Sequence, residues 1–212
     1  TIKPRFHKQT RVCYSRVEEV EDNEKIEHPL VREALKLMSI KDHLEIVSIC
    51  DLAAGTGMGS SGSFLVGLLN ALHTYKGEYA SKRLLAEEAC RIEMDILNEP
   101  VGKQDQYIAA FGGIQSMQIA KNGAVRMEHL DISDDTVKEI EKNLLLFYTN
   151  ITRSASAVLS QQKKEAEDDQ SKLDYLTKIR EIGVEIRKSL ENGNTRRFGE
   201  WMNIHWETKK AL

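Results

Sequence analysis

Read for the spacing of its apolar positions, the chain alternates short strand-like runs with amphipathic helices. Residues 11–20, with Val12 and Tyr14 in alternation, predict a strand, and a charged turn follows at 21–27. Pro29 stands where helices commonly start, and Leu30, Ala34, Leu37 and Met38 make one apolar face behind it. Residues 44–50, LEIVSIC, are aliphatic and β-branched and predict a strand. From about Ser60 to Tyr75 apolar residues occur nearly all round (Phe64, Leu65, Val66, Leu68, Leu69, Ala71, Leu72), so this helix should be central, and Gly77 should end it. A further helix over 81–97 carries the stripe Leu85, Ala89, Ile92, Ile96, with Ala86, Cys90, Glu93 and Leu97 beside it, until Asn98-Glu99-Pro100 breaks the pattern. Residues 114–120 and 124–130 read as strands joined at Lys121-Asn122-Gly123, where Asn-Gly signals a hairpin. Residues 134–142 predict a helix, and 143–149, NLLLFYT, a buried strand. From Arg153 onward the pattern is helical. Ile179, Ile182, Ile186 and Leu190 form one stripe, Gly193 stops that helix, and Phe198, Trp201, Met202 and His205 line the last. The closing residues, ETKKAL, end inside a helical pattern and read as a chain cut short.

Between the strand at 44–50 and the central helix lies DLAAGTGMGSSGS, residues 51–63, with four glycines and three serines. Glycine lets backbone N–H groups approach a ligand, and a helix start offers unpaired N–H groups and a dipole's positive end. Strand, loop and helix in that order suit a phosphate cradle. Three common glycine motifs fail here. A Walker loop needs Lys after its last Gly, where Gly59 is followed by Ser60 and Ser61. A dinucleotide fingerprint begun at Gly55 needs Gly or Ala at Ser60, and a nucleophile elbow needs Gly at Ser63. The plain alternative is a tight turn with Ser as a helix cap.

Two acidic residues stand out. Glu93 lies on a mostly apolar stripe, so its carboxylate must find a cation, donors or water; from position alone a solvated edge is the commoner outcome. Asp105 follows twelve residues later, beyond the Pro100 break, so the two can converge from a helix and the turn behind it. Close carboxylates suit a metal or proton transfer. The plain alternative for Asp105 is the N-cap of a short helix over 106–111.

Composition narrows the partners. With 41% hydrophobic and 30% charged residues in 212, the chain can bury a core as one or two domains. A net charge of −3 without a long basic run argues against nucleic acid as a partner. No apolar run approaches membrane-spanning length and no signal peptide opens the chain, which indicates no membrane partner and a cytoplasmic location. Cys13, Cys50 and Cys90 are widely spaced, as suits reduced thiols in cores. No internal repeat is visible, and the sequence leaves room for a homo-oligomer.

Gly57-Met58-Gly59-Ser60-Ser61 resembles the second signature of the GHMP small-molecule kinases, usually Pro-x-x-x-Gly-Leu-Gly-Ser-Ser-Ala. Ala53 stands where Pro is common and Gly62 where Ala or Ser is common; neither departure removes a phosphate donor. GKQDQYIAAFGG over 102–113, GTGMGSSGSFLVGLLNAL over 55–72 and Thr149-Asn150-Ile151-Thr152-Arg153 narrow the likeness. Together they resemble the D-glycero-D-manno-heptose 7-phosphate kinases of that family over essentially the whole chain, with Asn150 where Gly is usual.

The resemblance implies an α+β, GHMP-kinase-like fold in two parts: residues 1–142, an α/β part with the glycine loop, and 143–212, helix-rich and incomplete. It implies ATP and Mg2+, with Gly55, Gly57, Gly59, Ser60 and Ser61 around the ATP phosphates, Ser61 and Glu93 at the metal, and Asp105 as the catalytic residue beside the acceptor hydroxyl. Lys103 and Arg153, the basic residues inside the motifs, are the candidates for a sugar phosphate's distal phosphate. The implied reaction is phosphorylation of a hydroxyl, anomeric in the leading reading, of a heptose 7-phosphate. A fucose- or galactose-type kinase and a non-catalytic nucleotide- or sugar-binding member are the alternatives. The family's opening strand signature and its closing glycine-rich segment are both missing, so the sequence reads as partial at both ends.

Overall fold

A four-stranded sheet with the order β1 (Ile2–Pro4), β4 (Leu44–Val47), β2 (Thr10–Cys13), β3 (Val17–Val20) underlies the first half of the chain. The computed structural model describes residues 1–51, 55–150, 159 and 170–210. Packing divides it into two compact units, the first holding Thr1–Gly112 and the second starting at Gly113.

In the first unit β1 (Ile2–Pro4) runs antiparallel to β4 (Leu44–Val47), and β4 runs parallel to β2 (Thr10–Cys13) with Val12 opposite Ile46. Residues 11–20 are a hairpin rather than one strand. β2 turns into β3 (Val17–Val20) with Cys13 opposite Val17, and the Tyr14 N–H donates to the Arg16 carbonyl at 2.8 Å. Its turn carries no Gly, Pro or Asn, the residues that would have signalled it. β4 ends earlier than Cys50: Ser48 N–H still reaches the Cys13 carbonyl, but Ile49 and Cys50 are exposed, so Cys50 is not a core thiol.

Pro29 opens α1 (Pro29–Leu37) as expected, and the fully buried face is Val31, Ala34, Leu35 and Met38, with Leu30 and Leu37 packed at its border. The central helix α2 (Ser60–Tyr75) buries Leu65, Leu69 and Leu72 completely against this sheet and α1. It stops at Gly77, whose φ of 71° allows Glu78 N–H to reach back to the His73 carbonyl at 2.9 Å. Because Leu69 lies at the middle of this core, Leu69→Ala should cost about 2–5 kcal/mol of stability. Urea unfolding would check it, and a loss below about 1 kcal/mol would mean that the core collapses around the gap.

The second unit holds the hairpin of β5 (Gln115–Ile119) and β6 (Val125–His129), paired Ile119 to Val125 across the expected Asn122-Gly123 turn. It also holds α5 (Asp134–Asn143), α6 (Gln170–Glu191) and α7 (Thr195–Lys209). Ser133 caps α5 and Asn194 caps α7 through their side-chain oxygens, and Gly193 (φ 67°) separates α6 from α7. Arg187 of α6 grips Glu128 of β6 through both guanidinium nitrogens at 3.0 Å, which holds the Glu128 carboxyl below its usual range.

Residues 144–148 differ from expectation. They form no strand, and each is at least half exposed, Leu146 at 79%. An apolar run becomes a buried strand only where neighbours pair and cover it, and none does so among the described residues. On the last helix Phe198, Trp201 and His205 are partly buried as expected, whereas Met202 is exposed and Thr208 is buried. No described helix is long and apolar enough to cross a membrane.

Candidate active site

The site grows from the glycine loop, and all of its described residues lie in the first unit. Gly55, Gly57 and Gly59 take φ values of 78°, 74° and 67°. Every second residue is thus left-handed, a backbone that side chains resist and that turns N–H groups toward one side. Gly59 is itself the N-cap of α2, and no side chain caps the helix; its carbonyl accepts the first helical bond from Ser63 N–H at 3.0 Å. The first-turn N–H groups, those of Ser60, Ser61 and Gly62, therefore have no intrahelical partner. Ser60 is partly buried and Ser61 exposed at this helix start. Ala53 lies outside the described residues.

Asp105 faces this helix start. It sits in the first turn of α4 (Gln104–Phe111), one residue inside the helix rather than at its cap, which is Lys103. A Cβ added to Gly59 would stand 3.1 Å from Asp105 Cγ and 3.3 Å from its Oδ2. One added to Gly62 would stand 3.1 Å from Asp105 Cβ and 3.2 Å from the backbone N of Gln106. Missing side chains at two positions of α2 therefore let a carboxylate lodge against the helix's positive end, where negative charge is favoured.

Glu93 comes to the same helix pair by another route. The expected helix over 81–97 is α3 (Lys82–Cys90), capped by the Ser81 hydroxyl, followed by one wider, π-helical turn at Arg91–Ile96. There Leu97 N–H bonds to the Ile92 carbonyl and Glu99 N–H to that of Glu93. Such a turn inserts an extra residue and shifts the inward face. Ile92 stays fully buried, Ile96 turns out to 38% exposure, and Glu93 is only 2% exposed. The solvated-edge reading of Glu93 is thus corrected.

A carboxylate so buried needs a partner. It has Gln106, itself 2% exposed, whose Nε2 donates to Glu93 Oε2. Gln106 directly follows Asp105, so adjacent residues of α4 serve the two acidic groups. Gln106 Oε1 is buried with no hydrogen-bond partner among the described residues, an arrangement that costs about 1–3 kcal/mol. Sequence reasoning quoted Gln106 inside a motif and gave it no role. The available signal was its spacing, four residues before the partly buried Ala110, since an amide on an inner helix face must find a partner.

Lys103 lies elsewhere. With Glu87, Cys90, Arg91, Asp95 and Tyr107 it lines a separate cavity of about 200 Å³. Residues two apart on a helix do not share a face, so Lys103 and Asp105 diverge. Burial pushes the Cys90 thiol beside that cavity up to about 11, which leaves it unreactive at neutral pH. Arg153 lies outside the described residues.

No three His, Cys, Asp or Glu side chains among the described residues converge on a metal site. Magnesium does not require one, since it commonly takes one or two carboxylates and the substrate's own phosphates. The left-handed loop, the uncapped helix start and a carboxylate carried on an adjoining turn are a donor set that fits a magnesium nucleotide.

The whole of this arrangement falls within residues 29–113, which match the model of the GHMP kinases N terminal domain. The chain carries a GHMP kinase N-terminal domain. It is 30% identical over 166 residues to the D-glycero-alpha-D-manno-heptose 7-phosphate kinase of Campylobacter jejuni, covering 76% of this chain and 48% of that protein. To the L-fucokinase/L-fucose-1-P guanylyltransferase of Bacteroides fragilis it is 26% identical over 176 residues, covering 80% of this chain and 18% of that one. Thus the chain spans about half the length of the first relative and less than a fifth of the second. Its backbone follows the crystal structure of a D-glycero-D-manno-heptose 1-phosphate kinase from Bacteroides thetaiotaomicron with a TM-score of 0.83. That match, at 21% identity, covers 100% of this chain and 67% of the other, and it establishes a GHMP kinase fold: a mixed α/β part followed by a helix-rich part.

Proposed function

We propose that this GHMP kinase chain supports ATP-dependent phosphorylation of a sugar hydroxyl, most specifically the anomeric hydroxyl of D-glycero-D-manno-heptose 7-phosphate. The observation that carries this reading is the Asp105 carboxylate lodged against the start of α2, directly behind the left-handed glycine loop. Backbone N–H groups of Gly55, Gly57, Gly59, Ser60 and Ser61 would bind the ATP phosphates. Asp105 would take the acceptor's proton as the acceptor oxygen bonds to the γ-phosphorus and the bond to the β-phosphate oxygen breaks, leaving ADP and a sugar phosphate. A magnesium ion, when bound, would neutralise charge between the β- and γ-phosphates, and Ser61 and Glu93 are the residues that would hold it. Such a reaction needs positioning and charge neutralisation more than covalent catalysis, which fits a site built from backbone and two carboxylates.

An acceptor that already carries a phosphate calls for a cation away from the loop. Lys103 and Arg153 are the candidates, and for Lys103 that role would require its side chain to leave the cavity it lines. The similarity to the fucokinase supports the second reading, an unphosphorylated sugar as acceptor. Dependence on ATP points to action in the cytoplasm. ATP consumption by the full-length protein, measured with heptose 7-phosphate, heptose 1-phosphate, L-fucose and galactose, separates the readings. Turnover at least about ten-fold more efficient with the heptose 7-phosphate supports the first. Equal use of fucose or galactose sinks the substrate assignment, and no consumption with any sugar sinks the kinase.

A further inference from the structure

Features of the first unit outside the assigned chemistry include the small cavity beside Lys103, the buried His73 clamped between Glu78 and Glu88, and the Gln106 amide. The amide carries furthest. We propose that Gln106 is a positioning residue that locks the Glu93 carboxylate in the orientation a divalent cation requires. The proposal rests on the reading of Glu93 as a metal ligand given above.

Glu93 and Gln106 are each 2% exposed, and among the described residues Gln106 Nε2 is the side-chain donor to that carboxylate. With Oε2 engaged by this N–H, the carboxylate has Oε1 left for a cation. Outer groups of this kind fix ligand orientation and tune affinity. The amide's own orientation points the same way. Its carbonyl oxygen is buried without a donor among the described residues, so the amide is turned to serve Glu93 and not to satisfy itself. Flipping it would set a carbonyl oxygen against a carboxylate. Its root is held as well, because the Gln106 backbone N lies within 3.2 Å of where a Cβ on Gly62 would be. The turn of α4 that presents Asp105 to the loop thereby also carries the amide that fixes the metal-side carboxylate.

The test compares Gln106→Met, which keeps the length and removes the donor, with Glu93→Gln and with the double variant in the full-length chain. Gln106→Leu serves as the second apolar form. Mn2+ binding with AMPPNP present is followed by electron paramagnetic resonance, and thermal unfolding is followed without metal. Gln106→Met should weaken Mn2+ binding about ten- to a hundred-fold, lower the metal-free unfolding midpoint because buried Glu93 loses its donor, and recover turnover at high metal concentration. In the double variant Mn2+ binding should be no weaker than in Glu93→Gln alone. Wild-type Mn2+ binding in both apolar variants, while Glu93→Gln weakens it, overturns the proposal by itself. So does a loss of turnover in both that high metal concentration does not restore, which would mark Gln106 as structural. An unchanged titration in Glu93→Gln instead overturns the metal role of Glu93.

Discussion

Asp105→Asn should lower turnover by about a hundred- to ten-thousand-fold, the usual contribution of a positioned proton acceptor, with nucleotide binding nearly intact. The substitution keeps size and shape, so α4 and its contact with Gly59 and Gly62 should persist. What is lost is the ability to accept a proton at the point where the acceptor oxygen would lie. Single-turnover phosphoryl transfer and calorimetric binding of AMPPNP are the two measurements. Wild-type transfer in the variant would remove Asp105 from the chemistry and return its carboxylate to the role of a charge at a helix start.

Gly59→Ala should lose turnover by about a hundred-fold through a different cause, displacement instead of deletion. Gly59 has a φ of 67°, where an L side chain costs about 1–2 kcal/mol, and its new methyl would meet Asp105 Cγ at 3.1 Å. The contacted atom ends a short side chain, so the carboxylate is what gives way, and misplacement by about 1 Å can cost about a hundred-fold. Gly62→Ala separates the two effects. Gly62 has helical backbone, so its methyl brings only the steric conflict, and helix propensity favours Ala by about 1 kcal/mol. Turnover should therefore fall in both variants, with the added backbone cost in Gly59→Ala alone. Unimpaired turnover in both would show that the Asp105 position against α2 carries no catalytic weight.

This pair also bears on the departure at position 62, where Ala or Ser is common in the family that the loop resembles. In this chain the first turn of α4 approaches α2 more closely than an Ala would comfortably allow. That Gly62 removes no phosphate donor says nothing of this contact, because the atom it accommodates lies forty-three residues later in the sequence, at Asp105.

What the sequence by itself determined are the features whose causes are local. The extent of α2, the Pro29 start of α1, the stop at Gly77 and the Asn122-Gly123 hairpin all arise from residues within one turn of each other. The glycine loop belongs with them, since its left-handed backbone is a property of the glycines themselves. Tertiary structure decided everything that depends on which distant surface covers a residue. It turned residues 11–20 into a hairpin, because parallel pairing of β2 with β4 leaves β3 the outer edge. It left residues 144–148 exposed for want of a covering element among the described residues. Above all, it buried Glu93 against the Gln106 amide of α4, while the π-helical turn at that point carries Ile96 outward. A stripe drawn at a constant 3.6-residue period cannot show such a turn, and no local signal says that its carboxylate will meet an amide thirteen residues on. Burial is a relation between elements, and a single stretch of sequence carries only one side of it.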